Sequence, residues 1–157
     1  MNDYKETYVT CETAKLLDKA GFDYKCRYFY LHDGTTRWQY THLTVLPKKE
    51  KVINAPTQAQ AVRWIREKLR IKIDAEERAF FQERPKKEYY CWCPLIIRLS
   101  NSNVKLNPFH TQKLDSDDFY HSGYKAFYDS YEEAIEDAIR YFLQEKLLKE
   151  TDDEKKE

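Results

Sequence analysis

Three segments of the chain carry signals that start an α-helix, and these segments limit the possible folds more than any other feature. Each begins with a side chain that can accept a hydrogen bond from the free amides of a first helical turn, and apolar residues at helical spacing follow it. The three capping residues are Thr10, Thr57 and Ser130. The sequence therefore predicts three amphipathic helices.

The first helix is predicted to follow Thr10 and to end at Gly21. Glu12 suits the positive N-terminal end of the helix. A glycine just past a helix adopts the left-handed conformation without strain, which lets the next residue pack back on the last turn. We therefore expect a Schellman ending in which Phe22 contacts Leu17.

A β-hairpin is predicted after this helix. Residues 24–31 and 36–46 are rich in aromatic and β-branched side chains, and Asp33 and Gly34 lie between them. Asp-Gly between two such runs is among the stronger local hairpin signals.

The second helix has a capping box, in which Thr57 and Gln60 can each bond the other's backbone amide. Pro56 blocks continuation of the helix upstream. The predicted apolar stripe consists of Ala61, Val62, Ile65 and Leu69. A separate basic face carries Arg63, Arg66 and Arg70. The helix should therefore have one buried and one basic side.

The segment 74–82 has two interpretations. Apolar and polar residues alternate from Ile71 to Gln82, with Glu77 as the exception, and this alternation favours a strand. Asp74 could instead cap a short helix with Glu77 as its third residue. We predict the strand and keep the helix as the alternative.

Residues 88–99 form the most β-like stretch of the chain, and Pro94 within it predicts an edge strand or a bulge. Residues 104–106 are predicted to form a short return strand. A long loop and a final short strand near 124–128 should follow.

The third helix has the clearest signal, because Ser130 and Glu133 form a capping box. Its predicted apolar face consists of Tyr131, Ala134, Ile135, Ala138, Ile139, Phe142, Leu143 and Leu147. Glu136, Asp137 and Arg140 are expected to face solvent. Order is expected to end near Lys149.

These elements predict an α+β fold with three amphipathic helices on a mainly antiparallel sheet of about five strands, in an order near α-β-β-α-β-β-β-α. A chain of 157 residues fits one domain. We assign the domain to residues 1–149 and a disordered charged tail to residues 150–157.

Charge and apolar patterning point to a cytoplasmic protein. No basic start with an apolar run follows Met1, and no apolar stretch is long enough to span a membrane. The four cysteines of such a chain are expected to be reduced. The 27 basic and 27 acidic residues balance, yet residues 48–72 carry +6 and residues 129–157 carry −6. This polarity fits either an anionic partner or contact between the two segments.

The three helix starts also support a resemblance. The segments are Tyr8-Val9-Thr10 with Glu12, Ala14, Leu16-Leu17 and Gly21-Phe22, then Asn54-Ala55-Pro56-Thr57 with Gln60 to Glu67, then Tyr128 with Ser130 to Ile135. In this order they resemble small uncharacterised proteins of phages and mobile elements of gut Bacteroidales bacteria. The resemblance implies a fold and a genomic setting, and it brings no catalytic residue.

Enzymatic and metal-binding signals are weak. Cys91 and Cys93 place two thiols on one face of a strand, which is half of a zinc site, but the other half is missing, so we interpret both as structural. No local signature supports a thiol enzyme. The acidic segment 115–118 lacks the pattern of a calcium loop. We predict no catalytic residue and no cofactor.

Two kinds of binding surface compete. Arg63, Arg66 and Arg70 could contact the phosphates of a nucleic acid. Eleven of the tyrosines and two of the tryptophans lie mostly in or beside predicted strands, which is more than one buried sheet face needs, and such side chains anchor protein interfaces. The interface candidates are Tyr89, Tyr90 and Trp92. The leading hypothesis is a non-enzymatic accessory protein that contacts a protein partner or a second copy of itself, and nucleic-acid binding is the alternative.

Overall fold

The computed structural model describes residues 6–31, 34, 36–41, 51–83, 86–99 and 127–154, which form three helices and five strands. The helices are α1 (Cys11–Lys19), α2 (Gln58–Leu69) and α3 (Tyr131–Glu154). The strands are β1 (Tyr28–Leu31), β2 (Arg37–Gln39), β3 (Val52–Ala55), β4 (Ile71–Glu83) and β5 (Lys86–Arg98). The α+β class and the three helices are confirmed.

The strands form two antiparallel sheets, so the prediction of one sheet of about five strands is wrong. The first sheet has the order β2-β1-β3, and the second contains β4 and β5. The difference arises because β3, which the sequence analysis did not assign, pairs with β1, whereas β4 and β5 pair with each other along their whole lengths. The predicted strand at 104–106 lies outside the described residues.

The contacts divide the chain into two compact units. The first unit comprises Met1–Trp64 and Leu143–Glu157, and the second comprises Ile65–Phe142. The three-stranded sheet belongs to the first unit and the two-stranded sheet to the second. The single domain assigned to residues 1–149 stays a prediction.

Helix α1 has the predicted ends. The Thr10 hydroxyl oxygen accepts a hydrogen bond from the Thr13 amide at 3.3 Å. Gly21 has a φ of 90°, and the amides of Gly21 and Phe22 donate to the carbonyls of Asp18 and Leu17. This pattern is the Schellman motif, which satisfies carbonyls at the end of the helix.

The predicted hairpin is present in a shorter form, in which β1 pairs with β2 from Tyr28 opposite Gln39 to Tyr30 opposite Arg37. On its other side β1 pairs with β3, where Ile53 and Ala55 are buried. The Tyr30 hydroxyl is buried and donates to the Val9 carbonyl at 2.7 Å, which fastens the segment before α1 to the sheet. Most of the predicted turn, at 32, 33 and 35, lies outside the described residues.

Helix α2 begins with the predicted capping box. The Gln60 amide donates to the Thr57 hydroxyl oxygen at 3.1 Å, and the Gln60 side-chain oxygen accepts from the Thr57 amide at 3.0 Å. The buried stripe is Ala61, Trp64 and Ile65. Val62 and Leu69 of the predicted stripe are half-buried, and Trp64, which the predicted stripe did not include, is buried.

The strand interpretation of 74–82 is confirmed and the helix alternative is wrong. Strands β4 and β5 pair without a register shift, from Ile71 opposite Arg98 to Glu83 opposite Lys86. Pro94 lies opposite Ala75 with no bulge, so the bulge explanation is wrong. Among the described residues, β4 is the one strand paired with β5, which agrees with the predicted edge position. An edge suits proline because the strand loses no ladder hydrogen bond.

Helix α3 begins with the predicted Ser130 cap, whose hydroxyl oxygen accepts from the Glu133 amide at 3.2 Å. The buried side includes Ala134, Ile135, Ala138, Ile139 and Leu143. Several details differ from the prediction. Glu136 is buried, and Asp137 and Arg140 are half-buried, instead of facing solvent. Tyr131 is exposed instead of joining the apolar face, Tyr141 is buried, and the helix continues past Lys149 to Glu154.

Candidate interaction surfaces

Two of the three predicted interface aromatics lie together on β5. Tyr90 is 60% exposed, and Trp92 is half-buried two residues along the same strand. Residues at this spacing share one face of a strand. The Trp92 ring meets the ring of Tyr131, itself 39% exposed, edge to face at a centroid distance of 5.2 Å. We call Tyr90, Trp92 and Tyr131 the aromatic patch. Tyr89 pairs with Phe80 in the ladder, and its side chain lies outside the described part.

Hydrogen bonds connect the aromatic patch to neighbouring elements of the second unit. Trp92 and Tyr128 exchange two backbone hydrogen bonds, of 2.8 and 2.9 Å. The Tyr128 hydroxyl donates to the Asp137 carboxylate at 2.8 Å, and the Tyr131 hydroxyl donates to the Asp74 carboxylate at 3.4 Å. The backbone of Trp92 is therefore bonded to Tyr128, which α3 holds through Asp137, and the hydroxyl of Tyr131 is bonded to β4.

Tyr90, the most exposed member of the patch, is a stable hydrogen-bond donor. Glu88 accepts a hydrogen bond from the Tyr90 hydroxyl, and this bond, followed by the charge of Glu88, raises the pKa of Tyr90. The hydroxyl stays protonated throughout the physiological range. Tyr90 thus offers an apolar ring and a polar tip, the combination common at protein interfaces.

The predicted basic face of α2 is exposed. Arg63 and Arg66 lie on the helix, and Arg70 is the first residue after it, with all three exposed. Arg70 has a φ of 59°, in the left-handed region that costs a side-chain-bearing residue about 1–2 kcal/mol. The Arg70 carbonyl accepts the Leu99 amide at 2.8 Å, which extends the β4–β5 ladder by one pair.

A groove that the sequence analysis did not predict lies in the first unit. Its volume is about 450 Å³, and its lining residues are Glu6, Tyr8, Arg27, Thr57, Ala59, Gln60 and Arg63. Beside it, the guanidinium carbon of Arg37 lies 3.9 Å from the centre of the Tyr8 ring. The signal that could have found this site is the pair Arg27 and Tyr28, a basic and an aromatic residue side by side at the start of β1.

The two rings at this groove contact each other. Tyr8 and Tyr28 meet edge to face at 5.0 Å, and the Arg27 guanidinium lies 5.6 Å from the centre of the Tyr28 ring. The Tyr8 hydroxyl donates to Glu6 at 3.0 Å. Partial burial, followed by this bond to Glu6, raises the pKa of Tyr8. Tyrosine and arginine side chains therefore alternate along one surface. We call its three arginines, Arg27, Arg37 and Arg63, the arginine cluster.

The two candidate metal-binding thiols lie on the same face of β5, as predicted. Cys93 is buried and Cys91 is half-buried, opposite Glu76 and Arg78 respectively in the ladder. Arg78 is paired with Glu76 at 3.1 Å. Within the part of the chain that the structure describes, no three His, Cys, Asp or Glu side chains are grouped as metal ligands. The acidic segment 115–118 lies outside the described residues.

Cysteine reactivity gives the first testable prediction. Burial raises the pKa of the half-buried Cys26 thiol from 9.0 to about 11, and the thiol lies 3.6 Å from the Tyr24 carbonyl oxygen. Because only the thiolate reacts with iodoacetamide, we expect alkylation of Cys26 to be slow at neutral pH and to rise about tenfold per pH unit toward pH 11. Peptide mapping by mass spectrometry measures the rate.

The matched control is a synthetic peptide of residues 23–29, in which the same thiol is fully hydrated. Its alkylation should level off near pH 9, the ordinary pKa of the group. Equal pH profiles for the peptide and the folded protein would contradict the burial argument.

Comparison with known proteins adds no assignment, since no family model, curated protein or solved structure matches this chain. Among the described residues, no helix combines the length and the apolar character needed to cross a membrane.

Proposed function

We propose that this protein is a non-enzymatic interaction protein that binds a protein partner through the aromatic patch. The observation that carries the proposal is the exposure of Tyr90, at 60%, and of Tyr131, at 39%, together with the contact between the rings of Tyr131 and Trp92. Tyrosine and tryptophan are enriched among the residues that dominate binding energy. Tyr90 and Trp92 share one face of β5, and the Trp92 ring contacts the ring of Tyr131.

The rigidity of the patch supports the same role. Binding orders the side chains of an interface at a cost of about 0.5–1.5 kcal/mol for each flexible one. Tyr131 is bonded to Asp74, and the backbone of Trp92 is bonded to Tyr128, so part of this ordering is complete before a partner arrives. A preformed surface of this kind binds more tightly than a flexible one of equal area.

The genomic setting is a further part of the proposal. It rests on the resemblance of the three helix starts to small proteins of phages and mobile elements. We infer an accessory role in such an element, exercised through protein contact, with a partner that is either another protein or a second copy of this chain.

The second testable prediction is that Tyr90→Ser weakens partner binding by about 30-fold, the effect of losing one anchor worth about 2 kcal/mol. The full chain, immobilised, is used to capture partners from a host lysate, and each captured protein is purified for a direct affinity measurement. Sedimentation velocity across a wide concentration range tests a second copy as the partner. Tyr90 is exposed, so the variant should fold normally.

Trp38→Ser is the matched control, because Trp38 is 51% exposed and belongs to the first unit instead. It removes a comparable exposed ring without touching the aromatic patch. Binding of the partner should be unchanged in this variant. Equal affinity of the wild type and Tyr90→Ser for every partner, including a second copy, would refute the proposal.

A further inference from the structure

We propose that the arginine cluster binds the phosphate of a nucleotide, either free or within a single strand of nucleic acid, in the groove that Arg27 and Arg63 line. The aromatic patch belongs to the second unit, so this site is independent of the protein-binding function proposed above. It also differs from the predicted basic face of α2, with which it shares only Arg63.

Three separate elements supply the guanidinium groups. Arg27 immediately precedes β1, Arg37 begins β2, and Arg63 lies in α2. All three are exposed. Arg27 and Arg63 line the groove together with Tyr8, and Arg37 lies over the Tyr8 ring at 3.9 Å. Residues that are distant in the sequence therefore converge on one surface.

The tyrosines hold two of these arginines in place. Arg37 lies over Tyr8 and is 5.4 Å from the centre of the Tyr28 ring, while Arg27 is 5.6 Å from the same centre. A guanidinium over a ring keeps the N–H groups at its planar edge available for other acceptors. These donors match phosphate oxygens, to which arginine binds in a bidentate manner.

The charges at the groove favour an anion. Among the described residues that line the groove, Glu6 is the one acidic residue, and its carboxylate accepts the Tyr8 hydroxyl. Among residues 6–31, 34, 36–41, 51–83, 86–99 and 127–154, no carboxylate forms an ion pair with Arg27 or Arg37. The site therefore has an excess of positive charge held on ordered side chains.

The dimensions suit a nucleotide better than a bare ion. A groove of about 450 Å³ lies within the range of about 300–1,000 Å³ typical of small-molecule sites. Thr57 and Gln60 add polar groups to the lining, and Ala59 adds a small apolar side chain. The phosphate would be held by the arginines, with the sugar and base in the remaining volume.

The third testable prediction compares two double variants of the full chain. Binding of a fluorescein-labelled single-stranded DNA is measured by anisotropy at low salt. We expect Arg27→Gln with Arg37→Gln to weaken binding by about 100-fold, tenfold for each lost charge-assisted hydrogen bond. Its matched control, Arg66→Gln with Arg70→Gln, removes the same charge from the basic face of α2 and should retain the wild-type affinity.

Salt dependence gives a second measurement. Each phosphate contact contributes about 0.7 to the slope of log affinity against log salt for a single strand. The groove variant should therefore lose about 1.4 from this slope, while the α2 control keeps it. Arg27→Lys with Arg37→Lys keeps the charge but lacks the planar fork, and we expect it to bind with intermediate affinity.

Competition against the labelled strand distinguishes a free nucleotide from a nucleotide within a strand as the source of the phosphate. Displacement of the labelled strand by AMP, but not by inorganic phosphate, identifies a nucleotide site. Failure of AMP to compete, with the groove variant still impaired, identifies a site that requires a strand. Circular dichroism confirms that the variants are folded. Equal loss in the α2 control, or binding of neither AMP nor the strand by the wild type at low salt, would overturn the proposal.

Discussion

Trp64→Ala is expected to lower the free energy of unfolding by about 3–5 kcal/mol, the range for removing a buried tryptophan. Trp64 is 2% exposed. Its ring meets that of Phe22 at 5.5 Å, and its indole N–H donates to the Asp23 carboxylate at 2.8 Å. Truncation removes the packing and the bond together. Urea denaturation monitored by far-UV circular dichroism measures the loss.

Trp64→Phe separates the two contributions, since it keeps most of the ring and removes the indole N–H. We expect a cost closer to that of one hydrogen bond to a charged group, about 1.5–3 kcal/mol. Asp23 is exposed and can be rehydrated, so the lower end of this range applies. A Trp64→Ala variant as stable as the wild type would contradict the central position assigned to this side chain.

Tyr128→Ala is expected to cost about 3–4 kcal/mol, because this side chain is 3% exposed and its hydroxyl donates to Asp137. The same substitution should also loosen the aromatic patch, since the backbone of Tyr128 holds that of Trp92. The free energy of unfolding is measured in urea. Near-UV circular dichroism reports the contact of Trp92 with Tyr131.

Tyr128→Phe is the control for the ring alone. The Asp137 carboxylate retains its ion pair with Arg140 at 3.1 Å in this variant, so we expect a cost of only about 1 kcal/mol. If the phenylalanine and alanine variants were equally destabilised, the hydroxyl rather than the ring would be the main source of stability at this position.

Local sequence signals predicted the helices well because their causes are local. The caps at Thr10, Thr57 and Ser130 each depend on a residue three positions away, and the end of α1 depends on Gly21 adopting a positive φ. The alternation in β4 is likewise a property of neighbouring residues.

The partition of the strands into two sheets could not be predicted in the same way. In the sequence, the four residues of β3 resemble an extended segment that leads to Pro56. Only their pairing with β1 identifies them as a strand. Pairing between distant segments is a tertiary property that overrides local propensity. The buried position of Glu136 on α3 has the same origin, since helical spacing alone placed it on the solvent side.

The residues of the candidate sites were also predicted only in part. Trp92 and Tyr90 were predicted from the excess of aromatic residues, but Tyr131, which contacts Trp92, comes from another element and was assigned to the apolar face of the third helix. The arginine cluster was missed because Arg37 and Arg63 meet Tyr8 only in the folded chain. Of its members, the sequence analysis had singled out only Arg63.

The outer side of β5 has a consequence for association between chains. The amide and carbonyl of Trp92 point away from β4 and form hydrogen bonds with the backbone of Tyr128. Backbone groups two residues apart on a strand point to the same side, so the nitrogen of Pro94 also points away from β4. That nitrogen carries no hydrogen to offer to an incoming strand. Within the described part of the chain, the outer side of β5 is therefore occupied at Trp92 and lacks a donor at Pro94, and an edge of this kind is a poor template for intermolecular sheet growth.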